Sequence, residues 1–338
     1  MKSKRAERGI SRRDVLASAI GGSLMMAYPH ARAQDTALNF PSKPMKLVLP
    51  YPAGNTPDAV ARWTADELTK VLGQSVVVDN RGGAGGRLGT ESVVRAPADG
   101  LTMLLADAGP TVIAPFLYDV RYEALRDLIP VTVLVTSDFF VAVPTSLGVS
   151  SVAELVALVK SQPGKLNYGT AGLGSIHHLM VEAFKAVAGL DMVHVPFKGG
   201  TEAVISVVQG AVAMMITGAL NIQSFVKSGQ LKMLATLSPQ RTHQFPDVPT
   251  LAELGFPGMV FQGDLGIFVP AGTPPAIVAK LSTEFNKVIR QPDMVKRLQG
   301  VGVDSIGTTP AKAVTHWETE RDKFAKAVKA AGLRKGSA

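Results

Sequence analysis

The chain has 338 residues, 46% hydrophobic and 18% charged, a balance that supports substantial cores and excludes a disordered chain. It has no cysteine, which excludes disulfides and thiolate metal sites. The formal charge of +8 is concentrated at the start: residues 1–33 hold seven basic and two acidic residues, the rest carries +3, and no basic run with interleaved aromatics follows, so no nucleic-acid partner is expected.

The first stretch reads as an export signal. Residues 1–13 are basic, residues 15–27 are apolar and small, and Ala31-Arg32-Ala33 forms an A-x-A cleavage signal before Gln34. The apolar run is too short to span a membrane. Ser11-Arg12-Arg13-Asp14-Val15-Leu16 carries a twin-arginine pair and favours that export route, although Val15 stands where Phe is more usual and the Sec route stays open. The mature protein, cleaved near Ala33, is expected to be soluble in the periplasm.

From residue 45 onward strands alternate with helices. A strand at 45–49 turns through Pro52, Ala53 and Gly54 into a helix over 57–72, with Thr56 as N-cap, Pro57 at the first helical position and Asp58 in the first turn. Val60, Trp63, Leu68 and Val71 fall on one face of that helix. A strand at 75–79 precedes the glycine loop 80–87 and a helix over 88–96. A third strand, 101–106, ends at Asp107-Ala108-Gly109-Pro110, before a short helix near 111–117. This βαβαβ order implies a parallel sheet. Residues 127–136 and 139–143 read as consecutive strands, followed by a helix over 151–160 and a strand at 166–169. The next loop, 170–175, opens a helix expected to bury Ile176, Leu179, Met180, Phe184 and Val187. Strands at 192–196 and 213–217 each lead through a loop to a helix, and a strand at 231–237 follows. The C-terminal part reads as a strand at 265–270 and helices over 275–290, 293–299 and 310–331.

Roughly ten strands exceed one small parallel sheet, and two α/β lobes fit better. The boundaries fall where strands follow each other without a helix between. The first lobe would then comprise residues 40–137 and 259–333 and the second 138–258, with two crossover segments.

Several strand-to-helix loops share one chemistry. The loops at 52–57, 80–87, 107–111, 170–175, 198–201 and 217–221 follow strand C-terminal ends, and most precede helix N-termini, the edge where open α/β sheets bind ligands. A helix N-terminus carries unpaired N–H groups and roughly half a positive charge, and so takes an anion without a charged side chain. Thr56, Thr170, Ser175 and Thr201 add hydroxyls; helix capping would also account for Thr56, Ser175 and Thr201, and capping and ligand contact can coexist. Residues 83–89 could form a dinucleotide loop, but four residues separate it from the strand and no strand-end acid stands at the right distance. No Walker A motif or G-x-S-x-G elbow occurs. His177 and His178 with Glu182 invite a metal reading, but a third ligand is missing and packing near the loop explains them better.

The motifs resemble the Bug family, the periplasmic substrate-binding proteins of tripartite tricarboxylate transporters. The matching stretches are residues 50–62 with Gly54 and Asp58, Asn80-Arg81-Gly82-Gly83-Ala84-Gly85-Gly86, Asp99-Gly100-Leu101-Thr102 and residues 172–179 with Glu182. Val195-Pro196-Phe197-Lys198-Gly199-Gly200, Pro246-Asp247-Val248-Pro249-Thr250 with Glu253 and Gly255, and Val269-Pro270-Ala271-Gly272-Thr273-Pro274 also match, in order along the mature chain. The resemblance implies an α/β fold like type II periplasmic binding proteins, two lobes closing on a small carboxylate held by backbone amides and waters. It implies no cofactor, no catalysis and no metal, a membrane permease as partner, and a monomer. It places ligand contacts in the first lobe at Tyr51, Pro52, Ala53, Gly54, Asn55, Thr56, Asp58, Asp107 and Ala108. In the second lobe it places them at Thr170, Ala171, Gly172, Gly174, Ser175, His178, Lys198 and Thr217. The chain departs from the family pattern at Asn55, usually a second glycine, and near Ala213 and Thr217, where Asp is common. An exported nucleotide-dependent oxidoreductase and a periplasmic ligand sensor of the same fold are the alternative readings.

Overall fold

The computed structural model describes residues 40–330 and 332–335, so the export signal read at 1–33 lies outside the described residues. In chain order the strands are β1 (Met45–Leu49), β2 (Val76–Asn80), β3 (Thr102–Ala106), β4 (Leu128–Ser137), β5 (Phe139–Pro144), β6 (Asn167–Thr170), β7 (Val193–Pro196), β8 (Met215–Gly218), β9 (Leu231–Thr236), β10 (Leu265–Pro270) and β11 (Val303–Ser305). They form two α/β lobes. The first is built on a six-stranded sheet of order β11-β4-β10-β3-β1-β2. The second joins a three-stranded sheet, β8-β5-β9, to the parallel pair β6-β7 through a bridge between Tyr168 and Met214.

In the first sheet β1 pairs in parallel with β2 and β3, as the βαβαβ order implies. The sheet as a whole is mixed, because β10 enters antiparallel between β3 and β4, and β11 adds antiparallel at the edge. The chain therefore needs its last part to complete the sheet begun by its first. The strand β11 was not foreseen: three residues, Val303-Asp304-Ser305, carry too little alternation to be read as a strand.

The helices are α1 (Thr56–Leu72), α2 (Arg87–Val94), α3 (Ala114–Leu117), α4 (Ala124–Asp127), α5 (Val152–Ser161), α6 (Ile176–Ala188), α7 (Gly200–Val208), α8 (Ala219–Lys227), α9 (Pro275–Ile289), α10 (Pro292–Gln299) and α11 (Pro310–Ala330). The buried stripe of α1 is Val60, Ala61, Thr64, Ala65 and Leu68; Val71 is 46% exposed. Likewise α6 buries Ile176, Leu179, Met180 and Phe184 as expected but leaves Val187 57% exposed, since Ala188 takes the core-facing position in the last turn. Against the first sheet α11 sets Trp317, fully buried, over the backbone of Gly266 and against Phe268 at 5.2 Å. None of the described helices is long and apolar enough to cross a membrane.

The chain passes between the sheets twice. Only Asp138 separates β4 from β5. The return runs through Gln262 and Gly263, and the two passages pair with each other: Asp138 bridges Gln262, the Ser137 N–H donates to the Gly263 carbonyl at 3.2 Å, and the Gly263 N–H donates to the Ser137 carbonyl at 2.8 Å.

Candidate functional site

The loops leaving β1, β2 and β3 face the loops leaving β6, β7 and β8 across a narrow cleft. Tyr51, Pro52, Asn55 and Thr56 line it from the first lobe, with Gly85, Gly86, Asp107 and Gly109. From the second come Ala171, Ser175, His177, Lys198, Gly199 and Asn221. Ser137, Phe139, Gly263 and Leu265, beside the paired passages, add the remaining wall.

Five helices begin at this cleft. The first residues or N-caps of α1, α2, α6, α7 and α8 all belong to its lining. Each start adds a partial positive charge and N–H groups with no partner inside the helix. Gly86, Gly199 and Gly218, the N-caps of α2, α7 and α8, have no side chain to occupy those donors. In α1 the cap is Asn55, one residue before the expected Thr56: the Asn55 Oδ1 accepts from the Asp58 N–H at 2.9 Å. The Asn55 amide takes the capping role and leaves Thr56, a lining residue of the cleft, with its Oγ1 buried and without a hydrogen-bond partner. Such an orphaned hydroxyl costs stability unless something outside the chain bonds it. Ser175 caps α6, accepting from the His178 N–H at 3.3 Å and donating to the Gly172 carbonyl at 2.6 Å.

Two acids stand near the first lobe's rim with opposite tendencies. Asp107 lines the cleft; burial pushes its carboxyl above the usual range, against the hydrogen bonds from Tyr51 and from the Gly109 N–H at 2.8 Å. The Tyr51 hydroxyl also accepts from the Asp107 N–H at 3.1 Å, and burial beside that acid holds it well above its ordinary pKa. Asp58 lies outside the cleft lining. Burial alone would raise it, but hydrogen bonds from Arg62, the Gly54 N–H and Asn80 outweigh that and hold it below the usual range. Its task is to tie the β1–α1 loop to β2, through Asn80 at 2.9 Å.

His177, rather than His178, faces the cleft. His178 is turned into the second lobe, stacked on His194 at 4.2 Å with its Nδ1 accepting from the Gly174 N–H. His177 lies edge-on to Phe139 at the cleft wall with its Nδ1 shut from solvent and unpartnered. Adjacent helix positions point about 100° apart, so the contact expected at His178 falls outside the lining and its neighbour His177 takes the place. Glu182 is engaged by Tyr168 and Lys185, so the three residues of the metal reading diverge. The trio of described residues whose ligand atoms do converge, Asp264, His316 and Glu320, is not part of the cleft lining, and Lys323 Nζ already holds Glu320 at 2.8 Å.

Of the expected contacts, Tyr51, Pro52, Asn55, Thr56, Asp107, Ala171, Ser175 and Lys198 line the cleft. Ala53, Gly54, Asp58, Ala108, Thr170, Gly172, Gly174, His178 and Thr217 stand outside its lining. Several of these hold the wall from behind: Thr170 Oγ1 pairs with His194 Nε2 at 2.7 Å, and Thr217 Oγ1 accepts from Asn221 Nδ2 at 3.0 Å. Gly54 has φ +90°, so a side chain there would meet backbone strain, even though no atom stands within 4 Å of the position of its Cβ.

Burial pushes His177 down from 6.5 to about 4, and His194 likewise. A folded-state value below the unfolded one means that the unfolded chain binds more protons. Stability is then fully present above pH 6.5 and is lost as pH falls toward 4. The melting temperature is expected to drop by several degrees over that window and His177→Gln to flatten the drop; an equal slope in both proteins would refute the assignment.

The lobes touch along a seam of glycines. A Cβ on Gly199 would come within 2.9 Å of Pro52 Cγ, one on Gly85 within 3.0 Å of the Leu173 carbonyl, and one on Gly174 would strike the Tyr118 ring.

A family model described as "Tripartite tricarboxylate transporter family receptor" matches residues 60–333. Protein BugT of Bordetella pertussis is 32% identical over 304 residues, covering 89% of this chain and 93% of that one. The solved structure of R. palustris Rpa4515 with adipate is similar at a TM-score of 0.85 and 31% identity, covering 88% of this chain and 99% of that chain. MatC (Rpa3494) from Rhodopseudomonas palustris with bound malate gives 0.81 at 28% identity, over 86% of this chain and all of that chain (100%).

Proposed function

The chain belongs to the tripartite tricarboxylate transporter receptor family, and on that premise we propose that it captures a small carboxylate in the periplasm by two-lobe closure and delivers it to a membrane permease of the tripartite tricarboxylate type. The observation that carries this reading is the convergence of five helix N-termini, three of them with glycine caps, on one cleft that also holds the unpartnered hydroxyl of Thr56. A carboxylate accepts from such N–H groups without an arginine clamp. The adipate and malate held by the similar solved proteins are of this class.

In this reading the first lobe comprises residues 40–137 and 259–333 and the second 138–258. The lobes turn about the paired passages, and closure buries the ligand. Export ends with cleavage near Ala33, the mature protein acts as a monomer, and no catalytic step is involved. A thermal-shift screen of residues 34–338 against carboxylates, with NAD and NADP as controls, is the direct test. A ligand at a hundred times its dissociation constant stabilises by about 2.7 kcal/mol, an upward shift of several degrees. A carboxylate hit is the expected result; a shift with a dinucleotide alone would favour an oxidoreductase.

A further inference from the structure

We infer that the ligand carries a second anionic group at its far end, read by Arg87 in a vestibule outside the cleft; this rests on the carboxylate reading above. The vestibule adjoins the cleft, sharing Pro52, Gly83, Gly85, Ala171 and Lys198 as lining, and opens onto Arg87, Tyr118 and Phe197. It is lined by two cations, Arg87 and Lys198, and by no acid.

Arg87 is held in place but not neutralised. Its guanidinium carbon lies 3.6 Å from the centroid of the Tyr118 ring, and its Nε donates to the Ala84 carbonyl at 2.7 Å. The acid one helical turn on, Glu91, is taken by Arg95. Among the described residues no carboxylate pairs with Arg87, and its terminal nitrogens make no hydrogen bond. A guanidinium fixed at Nε and against a ring keeps its remaining fork set for an anion, with little side-chain freedom left to lose on binding.

The placement ties this cation to closure. Tyr118 abuts Gly174 across the seam, in the loop that the second lobe offers to the cleft. Closure therefore brings the Arg87–Tyr118 pair to the cleft mouth. A carboxylate at the helix N-termini fills the inner end and leaves the two vestibule cations uncompensated. An acid long enough to leave the cleft between Pro52 and Ala171, and charged at its far end, satisfies both ends. A monocarboxylate of the same length satisfies one.

The test compares matched pairs by calorimetry on the mature protein: adipate with hexanoate, glutarate with pentanoate, and terephthalate with benzoate. Wild-type protein is expected to prefer the diacid of at least one pair by about ten-fold or more, the scale of one charge-assisted contact. Arg87→Gln is expected to cut that preference ratio about ten-fold, and Arg87→Lys to restore part of it by returning the charge. A preference ratio that survives Arg87→Gln, or a wild type that binds the monoacids as tightly, overturns the vestibule and leaves the carboxylate reading standing. A wild type that binds none of the six acids overturns the vestibule, and the wider carboxylate screen then decides the reading beneath it.

Discussion

Gly199→Val is expected to weaken ligand binding about ten- to a hundred-fold while each lobe stays folded, the overpacking clash of roughly 1–3 kcal/mol appearing only in the closed form. Gly199 has φ −173°, extended backbone that any residue adopts, so valine meets no strain as the N-cap of α7. The atoms it would strike, Pro52 Cγ at 2.9 Å and Cδ at 3.3 Å, belong to the other lobe. An open form is untouched, and the variant taxes binding through the population that can close. Calorimetry gives the affinity, and small-angle scattering with and without ligand gives the compaction. Wild-type affinity in Gly199→Val would show that closure does not bring these loops together. Gly199→Ala, with less to fit against Pro52, is expected to fall between the two.

Trp317→Ala is the largest expected loss of stability. The indole is fully buried, lies on the Gly266 backbone and packs on Phe268, where α11 covers the first sheet. Truncation leaves a cavity where α11 meets β10 and costs about 3–5 kcal/mol, a large share of the roughly 5–15 kcal/mol that holds a domain folded. Urea titration should move the midpoint down with an unchanged slope. A loss under about 1 kcal/mol would mean that α11 contributes little to the first lobe, since surface changes fall in that range. Because β10 pairs on both sides, with β3 and β4, the damage is expected to spread through that sheet and spare the second.

Local chemistry was legible where chain neighbours decide it. The runs at 45–49 and 265–270 could be read as strands because every position but one is buried. The loops after β1, β3, β6 and β7 could be read as ligand-facing because strand-to-helix connections expose N–H groups at that edge. What escaped is what folding brings from afar. Phe139, Ser137 and Gly263 enter the wall because the two passages run side by side, and no local pattern marks them. The cap of α1 moved by one residue because Asn and Thr both cap well, and only the geometry shows which oxygen reaches the Asp58 N–H. His177 and His178 are alike in sequence and differ in the structure by what faces them, Phe139 for one and His194 for the other.

The double connection between the sheets has a mechanical consequence. Two passages joined by reciprocal hydrogen bonds at Ser137 and Gly263 would act, in the proposed closure, as a leaf spring rather than a ball joint. They flex readily across the ribbon, where φ and ψ share the change over several residues, and they resist sliding past each other, which would break both bonds at once. Gly263 keeps the ribbon thin, since a Cβ there would strike Ser137 Oγ and the Phe139 ring. In the closure proposed above, this pairing would hold the lobes to one path and return Pro52 to Gly199 and Tyr118 to Gly174 in the same alignment. A permease that engages both rims would meet one reproducible profile, whichever ligand lies between them.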